Sequence, residues 1–475
     1  MKANEDVEKI LKQSEEIDSQ FDESTLVELL HSIRKKYDSD IMLRNKYKND
    51  SMKYCTIEEE LHEDLVVLQR FAAYPNLLSP FISHSGIEII ILILSHPNID
   101  IVSAMLSLIV EITESDFLND IEDPKSFIEL LISNSIFDRI AETLYKIEPN
   151  DEDSSQYYSD ILGIFENFID VYEKSAELIG TTKALGWMLQ MIRKNCTVDS
   201  ADIAEGDVCL FCSEVLAMLV QFSGQNQKRF AKMEGVPILI NVLVNIKENT
   251  NRKILIGNQE ELVNNIVDCI CSALLYEENK KMFAMADGVN IMIDFMRENN
   301  TFRHFGIKIL NFAIQNSKDN AIQFVESNGL CVLFPYFMSR GMKKIKKEIV
   351  SKGEESSIEI IVNLLRYVNG VNYDRVIYKF KENKNEKIKR LIEVYYKRYK
   401  DSDEYITKIL CVIVMVLVKE GKEVESKVRE ICEENKIDIE SEIKIKVKEM
   451  KNEITGEDEK QSENDYKSFL NQLIN

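Results

Sequence analysis

The sequence predicts an all-α protein built of stacked helical repeats, because one short pattern recurs along its 475 residues. In each copy a Phe stands about five residues before a Gly, and a β-branched residue or Leu follows the Gly. Self-similarity at intervals of tens of residues is typical of repeat architectures. With only 7 Pro and 16 Gly, the chain shows no linker between globular domains. The four clear copies are Phe81–Ile87, Phe230–Val236, Phe283–Val289 and Phe324–Leu330.

Two weaker copies fill the gaps, with Ser135 and Ala184 in the Gly position. The aligned positions are then roughly 41 to 53 residues apart. This spacing is close to the period of about 40 to 47 residues in armadillo and HEAT repeats, with loop insertions. We therefore predict an armadillo/HEAT-like, right-handed superhelical solenoid. The six aligned positions are Gly86, Ser135, Ala184, Gly235, Gly288 and Gly329.

Each repeat is predicted to contain three helices. Apolar residues recur at three- and four-residue spacing before each small residue, as in a buried helix, and a short second helix leads to the Gly. Gly suits that junction because a left-handed backbone there costs a residue with a Cβ about 1 to 2 kcal/mol. The predicted long helices are Ile101–Thr113, Tyr158–Val171, Leu210–Phe222, Leu262–Leu275 and Phe305–Ile314.

Helical caps are predicted at both ends, since terminal repeats of a solenoid would otherwise expose an apolar face. We divide the chain into an N-terminal helical cap (1–70), armadillo-like repeats (71–350), and C-terminal helical repeats with a cap (351–475). The amphipathic segment Val7–Tyr37 belongs to the first cap, and Tyr466–Ile474 is expected to dock as a short helix.

The charge of the chain favours cationic partners. Against 81 acidic residues stand 59 basic ones, and the net charge of −22 repels nucleic-acid phosphates, so direct nucleic-acid binding is not expected. Basic and aromatic residues alternate in Arg375–Lys400, which alone would suggest an RNA-binding surface, but their helical spacing favours packing against the last repeats. We see no secretory signal and no apolar run near the roughly 20 residues that cross a bilayer, so no membrane contact is expected.

No motif of a catalytic or metal site is recognisable. The Walker-type, GxGxxG and GxSxG patterns are absent, and His62–Glu63 lacks the second His of HExxH. Cys209 and Cys212 have zinc-type spacing, but they and the Cys269/Cys271 pair lie in apolar helices, where small buried hydrophobes are the favoured interpretation. We predict a protein that is not an enzyme, with no catalytic residues, metal ligands or cofactors.

Several stretches, in order along almost the whole chain, resemble one known family. The most distinctive is the helix Phe211–Leu219. The others are Ala73–Leu77, Leu333–Met338 with Lys343–Lys347, and Lys379–Asn383 with Glu386–Leu391. The family that they resemble is that of beta-catenin-like protein 1, armadillo-repeat proteins associated with the spliceosome.

This resemblance implies a nuclear scaffold of the pre-mRNA splicing machinery, with a cytoplasmic pool also allowed. Such proteins bind basic, nuclear-localisation-like segments of splicing proteins, among them a Myb-domain factor of the Prp19-type complex. A homodimer is also allowed. Composition and periodicity alone would equally fit a cytoplasmic helical-repeat scaffold for trafficking or cytoskeletal partners. The import signal of animal members is not seen, and Lys343–Lys347 is its best substitute, although short Lys runs are usually solvated loops.

The predicted partner site is an acidic concave groove, because the third helix of each armadillo repeat lines the concave face. Importin-type grooves pair a Trp with an Asn one turn later, whereas Met191 follows Trp187, the only Trp here. We interpret Trp187 as a core residue and expect a more electrostatic mode of binding. Glu166 belongs to the same polar ladder as the thirteen candidates. The candidate partner-binding residues are Glu111, Glu114, Asp116, Asn167, Asp170, Glu173, Glu214, Gln221, Asp268, Glu277, Glu278, Asn311 and Gln315.

Overall fold

All secondary structure in the described part of the chain is helical, which confirms the predicted fold class. The computed structural model describes residues 21–48, 50–147, 154–195, 208–249, 255, 257–298, 300–340, 347–434, 437–453 and 461–474. The chain divides into two compact units, unit 1 (Met1–Arg229) and unit 2 (Phe230–Asn475). The division into cap, repeats and C-terminal cap stays a prediction.

Unit 1 begins with a long helix followed by short helices in groups. Three 3-10 segments, Ser51–Lys53, Gln69–Ala73 and Pro75–Leu77, separate its first helices. Its α-helices are α1 (Glu23–Lys46), α2 (Cys55–Leu68), α3 (Leu78–Ser83), α4 (Gly86–Leu94), α5 (Ile99–Thr113), α6 (Ser115–Asn119), α7 (Pro124–Ser133), α8 (Ile136–Thr143), α9 (Ser154–Val171), α10 (Ser175–Ile179), α11 (Ala184–Asn195), α12 (Val208–Gln221) and the start of α13 (Gly224–Lys232).

Unit 2 repeats the same grouping and ends in longer helices. One π-helical turn, Ile439–Ile443, precedes its last two helices. Its helices are α14 (Gly235–Asn249), α15 (Asn258–Ala273), α16 (Glu277–Met285), α17 (Gly288–Arg297), α18 (Phe302–Ile314), α19 (Lys318–Glu326), α20 (Leu330–Phe337), α21 (Lys347–Tyr367), α22 (Gly370–Lys400), α23 (Glu404–Lys419), α24 (Lys422–Glu434), α25 (Lys444–Glu453) and α26 (Gln461–Ile474).

The five predicted long helices are α5, α9, α12, α15 and α18, with ends within about four residues of the predicted ones. In unit 1, α9 packs against both α5 and α12. In unit 2, α15, α18, α21 and α23 pack in the same sequential way. We call these seven the third helices, and the polar stripe along them in each unit is its third-helix face.

The Gly of each repeat serves close packing and not a left-handed backbone, so the predicted physical reason was wrong. Gly235 begins α14, and a Cβ on it would lie 2.4 Å from the ring of Phe230. Real Cβ atoms do not approach so closely, so only Gly leaves room for the Phe ring. The left-handed residue is the one before the Gly: Ser85 (φ 65°), Glu234 (φ 54°), Asp287 (φ 57°) and Asn328 (φ 62°).

The register of one weaker repeat also differs from the prediction. Ser135 is itself left-handed, with φ 61°, and Ile136 begins the next helix, so Ile136 and not Ser135 corresponds to the Gly. Leu131 then stands in the Phe position, and both side chains are fully buried. An aliphatic side chain in place of the Phe ring therefore leaves room for a side chain at the Gly position.

Three repeats carry a buried Asn four residues before the Phe, which sequence analysis overlooked. Each side chain donates from Nδ2 to a carbonyl near the C-terminus of the preceding third helix, where no intrahelical donor remains. Asn226 also donates to the carbonyl of Ala176 at 2.7 Å. The pattern N-x3-F-x4-G is therefore a packing unit. The three bonds are Asn226 to Leu219, Asn279 to Ala273 and Asn320 to Ala313, each 2.9 Å.

The basic stretch Arg375–Lys400 lies in α22 and packs within unit 2, as its helical spacing indicated. Phe380 and Tyr395 are buried, whereas Tyr378, Tyr396 and Tyr399 are exposed. The helix bends at Glu382 and three left-handed residues, 383–385. Lys343–Lys346 and the first part of Val7–Tyr37 lie outside the described residues.

Among the described residues no single helix has both the length and the hydropathy to span a bilayer. Two pairs of consecutive helices reach that length and hydropathy only when the two helices of a pair are taken together, and each pair is bent at the break between its helices. The pairs are Pro75–Ser83 with Gly86–Leu94, bent by 80°, and Val208–Gln221 with Gly224–Lys232, bent by 117°.

Candidate functional site

The third-helix face of unit 1 is held together by polar contacts between neighbouring helices. Ser107 on α5 donates from Oγ to Oδ2 of Asp160 on α9 at 2.7 Å. About two turns further, Asn167 donates from Nδ2 to Oγ1 of Thr113 at 3.1 Å. These bonds fix the two helices side by side, so that Glu111 and the acidic residues of α9 share one face.

Carboxylates crowd this face and raise one another's pKa values. Burial raises the pKa of Glu111, and the nearby charges of Glu114 and Asp160 raise it further. Burial likewise raises the pKa of Glu166, with contributions from Glu214 and Asp170. A raised carboxyl pKa means that the ionised form is disfavoured where it stands, and a nearby cation would relieve that cost.

The three third helices of unit 1 contain no Lys or Arg. They carry two acidic residues in α5, three in α9 and one in α12. Half-buried Phe211 and Met218 flank Glu214 on α12, one turn before and one turn after it. Apolar walls beside a carboxylate suit the long aliphatic stems of Lys and Arg. The face therefore offers negative charge together with places for such stems.

The polar side chains of the third-helix face of unit 2 bind one another. Asp268 on α15 forms an ion pair with Lys308 on α18. Asn311 on α18 donates from Nδ2 to Oε2 of Glu359 on α21, and burial raises the pKa of Glu359. Since these partners lie within the unit, the face of unit 2 has less charge left for a ligand than the face of unit 1.

The structure brings together only some of the thirteen predicted residues. In unit 1, Glu111, Glu114, Asn167, Asp170 and Glu214 lie on or at the end of the third helices, with Gln221 as the last residue of α12. In unit 2, Asp268 and Asn311 occupy the third helices but are already bonded. The thirteen residues remain a prediction as a binding site.

Six of the thirteen lie outside the third helices, which corrects their predicted placement. Three of these helices end at the predicted residues, Thr113, Val171 and Ile314, and the fourth ends at Ala273, two residues before its predicted end. Two of the six, both on α16, form ion pairs with Lys281 at 3.3 Å. The residues outside the third helices are Glu114, Asp116, Glu173, Glu277, Glu278 and Gln315.

One buried polar cluster has the donor types of a metal site but not the right proton arrangement. Donor atoms of Asp40, Glu58 and His96 lie within 4.8 Å of one another. Nδ1 of His96 accepts the N–H of Asn98 at 3.1 Å, so its Nε2 carries the proton that it donates to Asp40 at 2.9 Å. A metal-bound His normally donates from its second nitrogen. With Arg44 paired to both carboxylates, the cluster is a structural ion pair. Sequence analysis missed it because 56 residues separate Asp40 from His96.

The core interpretations of the Cys pairs and of Trp187 are confirmed. Cys209, Cys212, Cys269 and Cys271 are buried, and burial raises the pKa of Cys271 to about 12. A thiol with such a pKa stays protonated at neutral pH and is a poor nucleophile or metal ligand. Trp187 is buried against Tyr158, with ring centroids 4.9 Å apart.

Repeated three-helix groups with a polar face along the third helices define an armadillo-type repeat protein. The fold is similar to that of beta-catenin in a structure from work on the phosphorylation switch that controls the interaction between cadherin and beta-catenin. The alignment covers 94% of this chain and 86% of the beta-catenin chain, with a TM-score of 0.54 and 14% sequence identity. The chain belongs to the catenin-beta-like family, described as "Arm-motif containing nuclear", whose sequence profile matches residues 5–409.

Relatives within this family are distant in sequence but similar over most of the chain. Beta-catenin-like protein 1 of Homo sapiens is 26% identical over 381 residues, which cover 79% of this chain and 66% of the human protein. The beta-catenin-like protein 1 homolog of Schizosaccharomyces pombe is 25% identical over 361 residues, or 74% of this chain and 60% of its own. The chain thus spans about two thirds of the length of the relatives it matches.

Proposed function

We propose that this protein is a non-enzymatic nuclear adaptor of the pre-mRNA splicing machinery, and that it holds basic segments of splicing proteins on the third-helix face of unit 1. The observation that carries the proposal is the set of crowded carboxylates around Glu111 and Glu166, on helices without a basic residue. Membership of a family described as nuclear supports the compartment, and the resemblance to spliceosome-associated proteins supports the partner class.

The geometry of neighbouring third helices suits an extended basic peptide. Packed helices lie about 8 to 10 Å apart, and an extended chain rises about 3.3 Å per residue. One basic residue of the peptide would face Glu111, Glu114 and Asp160 on α5 and α9. A second basic residue, about three positions along the peptide, would then face Glu166 and Glu214 on α9 and α12. We expect segments with Lys or Arg at that spacing to bind best.

Reversing three charges on this face should weaken the binding of a basic peptide by about 30-fold. An exposed ion pair contributes up to about 1 kcal/mol, so three lost contacts that become repulsive remove roughly 2 kcal/mol. The variant carries Glu111→Lys, Glu114→Lys and Asp170→Lys, and the measurement is calorimetry with a synthetic Lys/Arg peptide.

A matched control changes the same net charge on other faces of unit 1. Glu88, Asp138 and Glu177 are exposed and lie on α4, α8 and α10. Reversal to Lys at these three positions should weaken binding by only about 2-fold, through the long-range field alone. Equal losses in both variants would mean that the net charge of the chain, and not this face, attracts the peptide.

Binding of the basic peptide should also weaken as the pH falls. The pKa values of Glu111 and Glu166 are raised in the free protein, so these groups take up protons earlier than ordinary carboxyl groups on acidification. A bound cation lowers both pKa values, so binding releases protons and affinity rises with pH. Calorimetry in two buffers of different ionisation enthalpy, at about pH 5.5 and about pH 7.5, reports the proton release directly. Absence of release at the lower pH would place the peptide elsewhere.

The partner class is tested by affinity capture of the tagged protein from nuclear and cytoplasmic extracts. Recovery of a Myb-domain splicing factor by the wild-type chain, and its loss with the three-charge variant, is the expected result. Recovery of only vesicle or cytoskeletal proteins would assign the chain to a cytoplasmic scaffold instead.

A further inference from the structure

The last described helix, α26, lies against unit 2 through an apolar stripe and through polar contacts near both of its ends. Leu470 is fully buried and Leu473 nearly so, one helical turn apart, and they face the same side as Tyr466. The helix packs against α23 and α25. Its exposed residues include Asn464, Asp465, Ser468 and Gln472. The helix is therefore amphipathic, with one narrow apolar stripe at positions i, i+4 and i+7.

Tyr466 places the start of α26 at the end of the third-helix face of unit 2. The guanidinium of Arg366 lies over its ring, 4.5 Å from the centroid. Arg366 follows Glu359 by seven residues on α21, so both side chains point from the same side of that helix. The same guanidinium stacks on Tyr367 at 4.6 Å and donates to Oδ1 of Asn316 at 3.1 Å. Contacts within unit 2 thus fix the position of the Arg366 side chain, and α26 contributes the Tyr466 ring and the nearby negative charge of Asp465 to its surroundings.

A charged side chain holds the other end of α26. Nζ of Lys419, the last residue of α23, donates to the carbonyl of Gln472 at 2.6 Å. A cation at the C-terminal carbonyls of a helix is favourable for any helix placed there, whatever its sequence. The sequence preference of the site therefore comes from the three stripe residues and Asp465, together with half-buried Phe469, which stacks on Tyr466.

We propose that α26 can leave its docking site on unit 2, and that an amphipathic helix of a partner protein can take its place. The partner helix has an acidic residue directly before an aromatic residue. Aliphatic residues follow the aromatic residue at four and seven positions. Arg366 and Tyr367 contact the acidic and aromatic residues of the partner helix. The apolar sides of α23 and α25 bind its two aliphatic residues, and Lys419 caps its C-terminus. Binding of the partner helix releases α26 and uncovers it. The ligand is acidic and helical, in contrast to the basic extended segment proposed for unit 1.

The first experiment measures binding of a fluorescent peptide of residues 461–475 to the full-length chain by anisotropy. A variant with Leu470→Asp and Leu473→Asp loses its own anchors and should bind the peptide saturably. The wild-type chain should bind at least about 10-fold more weakly, because its own helix must leave first. A peptide with Tyr466→Ala and Leu470→Ala should not bind, whereas a Ser468→Ala peptide, changed on the exposed side, should bind normally. Arg366→Ala in the variant chain should weaken binding about 5-fold.

Equal affinity for the wild-type and the variant chain would overturn the proposal, because the site would then be open already. No binding to a variant chain whose circular dichroism is native would overturn it as well. A wild-type chain that is dimeric, and becomes monomeric with the two Asp substitutions, would show that the second occupant is another copy and not a partner.

A second measurement needs no variant and so does not depend on its folding. Excess unlabelled peptide added to the wild-type chain should speed tryptic cleavage after the chain's own Lys467, since displaced α26 becomes accessible; this peptide and its control carry Lys467→Gln so that trypsin does not cut them. The Tyr466→Ala/Leu470→Ala peptide is the control and should leave the rate unchanged. A rate that is equally unaffected by both peptides would contradict exchange.

Discussion

Replacing Glu354 with Ala should lower the free energy of unfolding by about 3 kcal/mol or more, among the largest effects of any single charged residue. Glu354 is only 4% exposed, and its carboxylate binds Arg390 at 2.5 Å and Arg398 at 3.3 Å. Arg398 is itself 7% exposed, and without Glu354 it would keep only the more exposed carboxylates of Glu355 and Asp403, at 2.6 and 3.0 Å. Removing one partner from a buried ion pair typically costs about 3 to 5 kcal/mol. Urea unfolding followed by circular dichroism measures the loss.

Glu393→Ala is the matched control for this substitution. Glu393 contacts the same Arg390, at 3.5 Å, but is 66% exposed. An exposed ion pair contributes at most about 1 kcal/mol, so the control should unfold almost as the wild type does. Similar losses from both substitutions would show that burial does not distinguish the two carboxylates.

Gly235→Ala should cost about 3 kcal/mol, the second large effect, because its new Cβ would overlap the buried ring of Phe230. Phe230→Leu alone should cost roughly 1 to 2 kcal/mol through the lost ring. In the double variant the smaller Leu leaves room for the methyl group, as Leu131 does for Ile136. We therefore expect the double variant to be at least about 1 kcal/mol more stable than the sum of the single effects predicts.

Gly224→Ala is the control for the Gly substitution. Gly224 is the first residue of α13, and no atom would lie within 4 Å of a Cβ there. Ala should then be neutral or stabilise by up to about 1 kcal/mol through helix propensity. If Gly224→Ala is neutral and the destabilisations of Phe230→Leu and Gly235→Ala simply add in the double variant, then contact with the Phe ring is not the reason that the repeats carry a Gly at this position.

The helices and their repeat could be predicted because both depend on local sequence. Apolar spacing of three and four residues located α5, α9, α12, α15 and α18. The register error at Ser135 arose because small residues were aligned with one another, whereas the packing partner of the junction, Phe81 or Leu131, sets the register. The buried Asn ahead of the Phe in three repeats was also readable from the sequence, as N-x3-F-x4-G.

Contacts between distant segments could not be predicted from one sequence. Nothing local indicates that His96 meets Asp40, or that Arg398 meets Glu354 across 44 residues. The acidic character of the candidate site followed from composition, but its location depends on contacts between neighbouring third helices. The polar pairing on the face of unit 2 depends on Lys308 reaching Asp268 from the neighbouring helix.

The absence of Lys and Arg from α5, α9 and α12 determines which cross-linking reagents can react with these helices. Reagents that join amine to amine find no anchor on these three helices. A carbodiimide, which couples carboxyl to amine with no spacer, finds Glu111, Glu166 and Asp170 there. A lysine-bearing segment bound to this face would be joined to these three helices by the second reagent and not by the first. Mass spectrometry of the conjugates would then identify both the trapped lysine and the carboxylate beneath it.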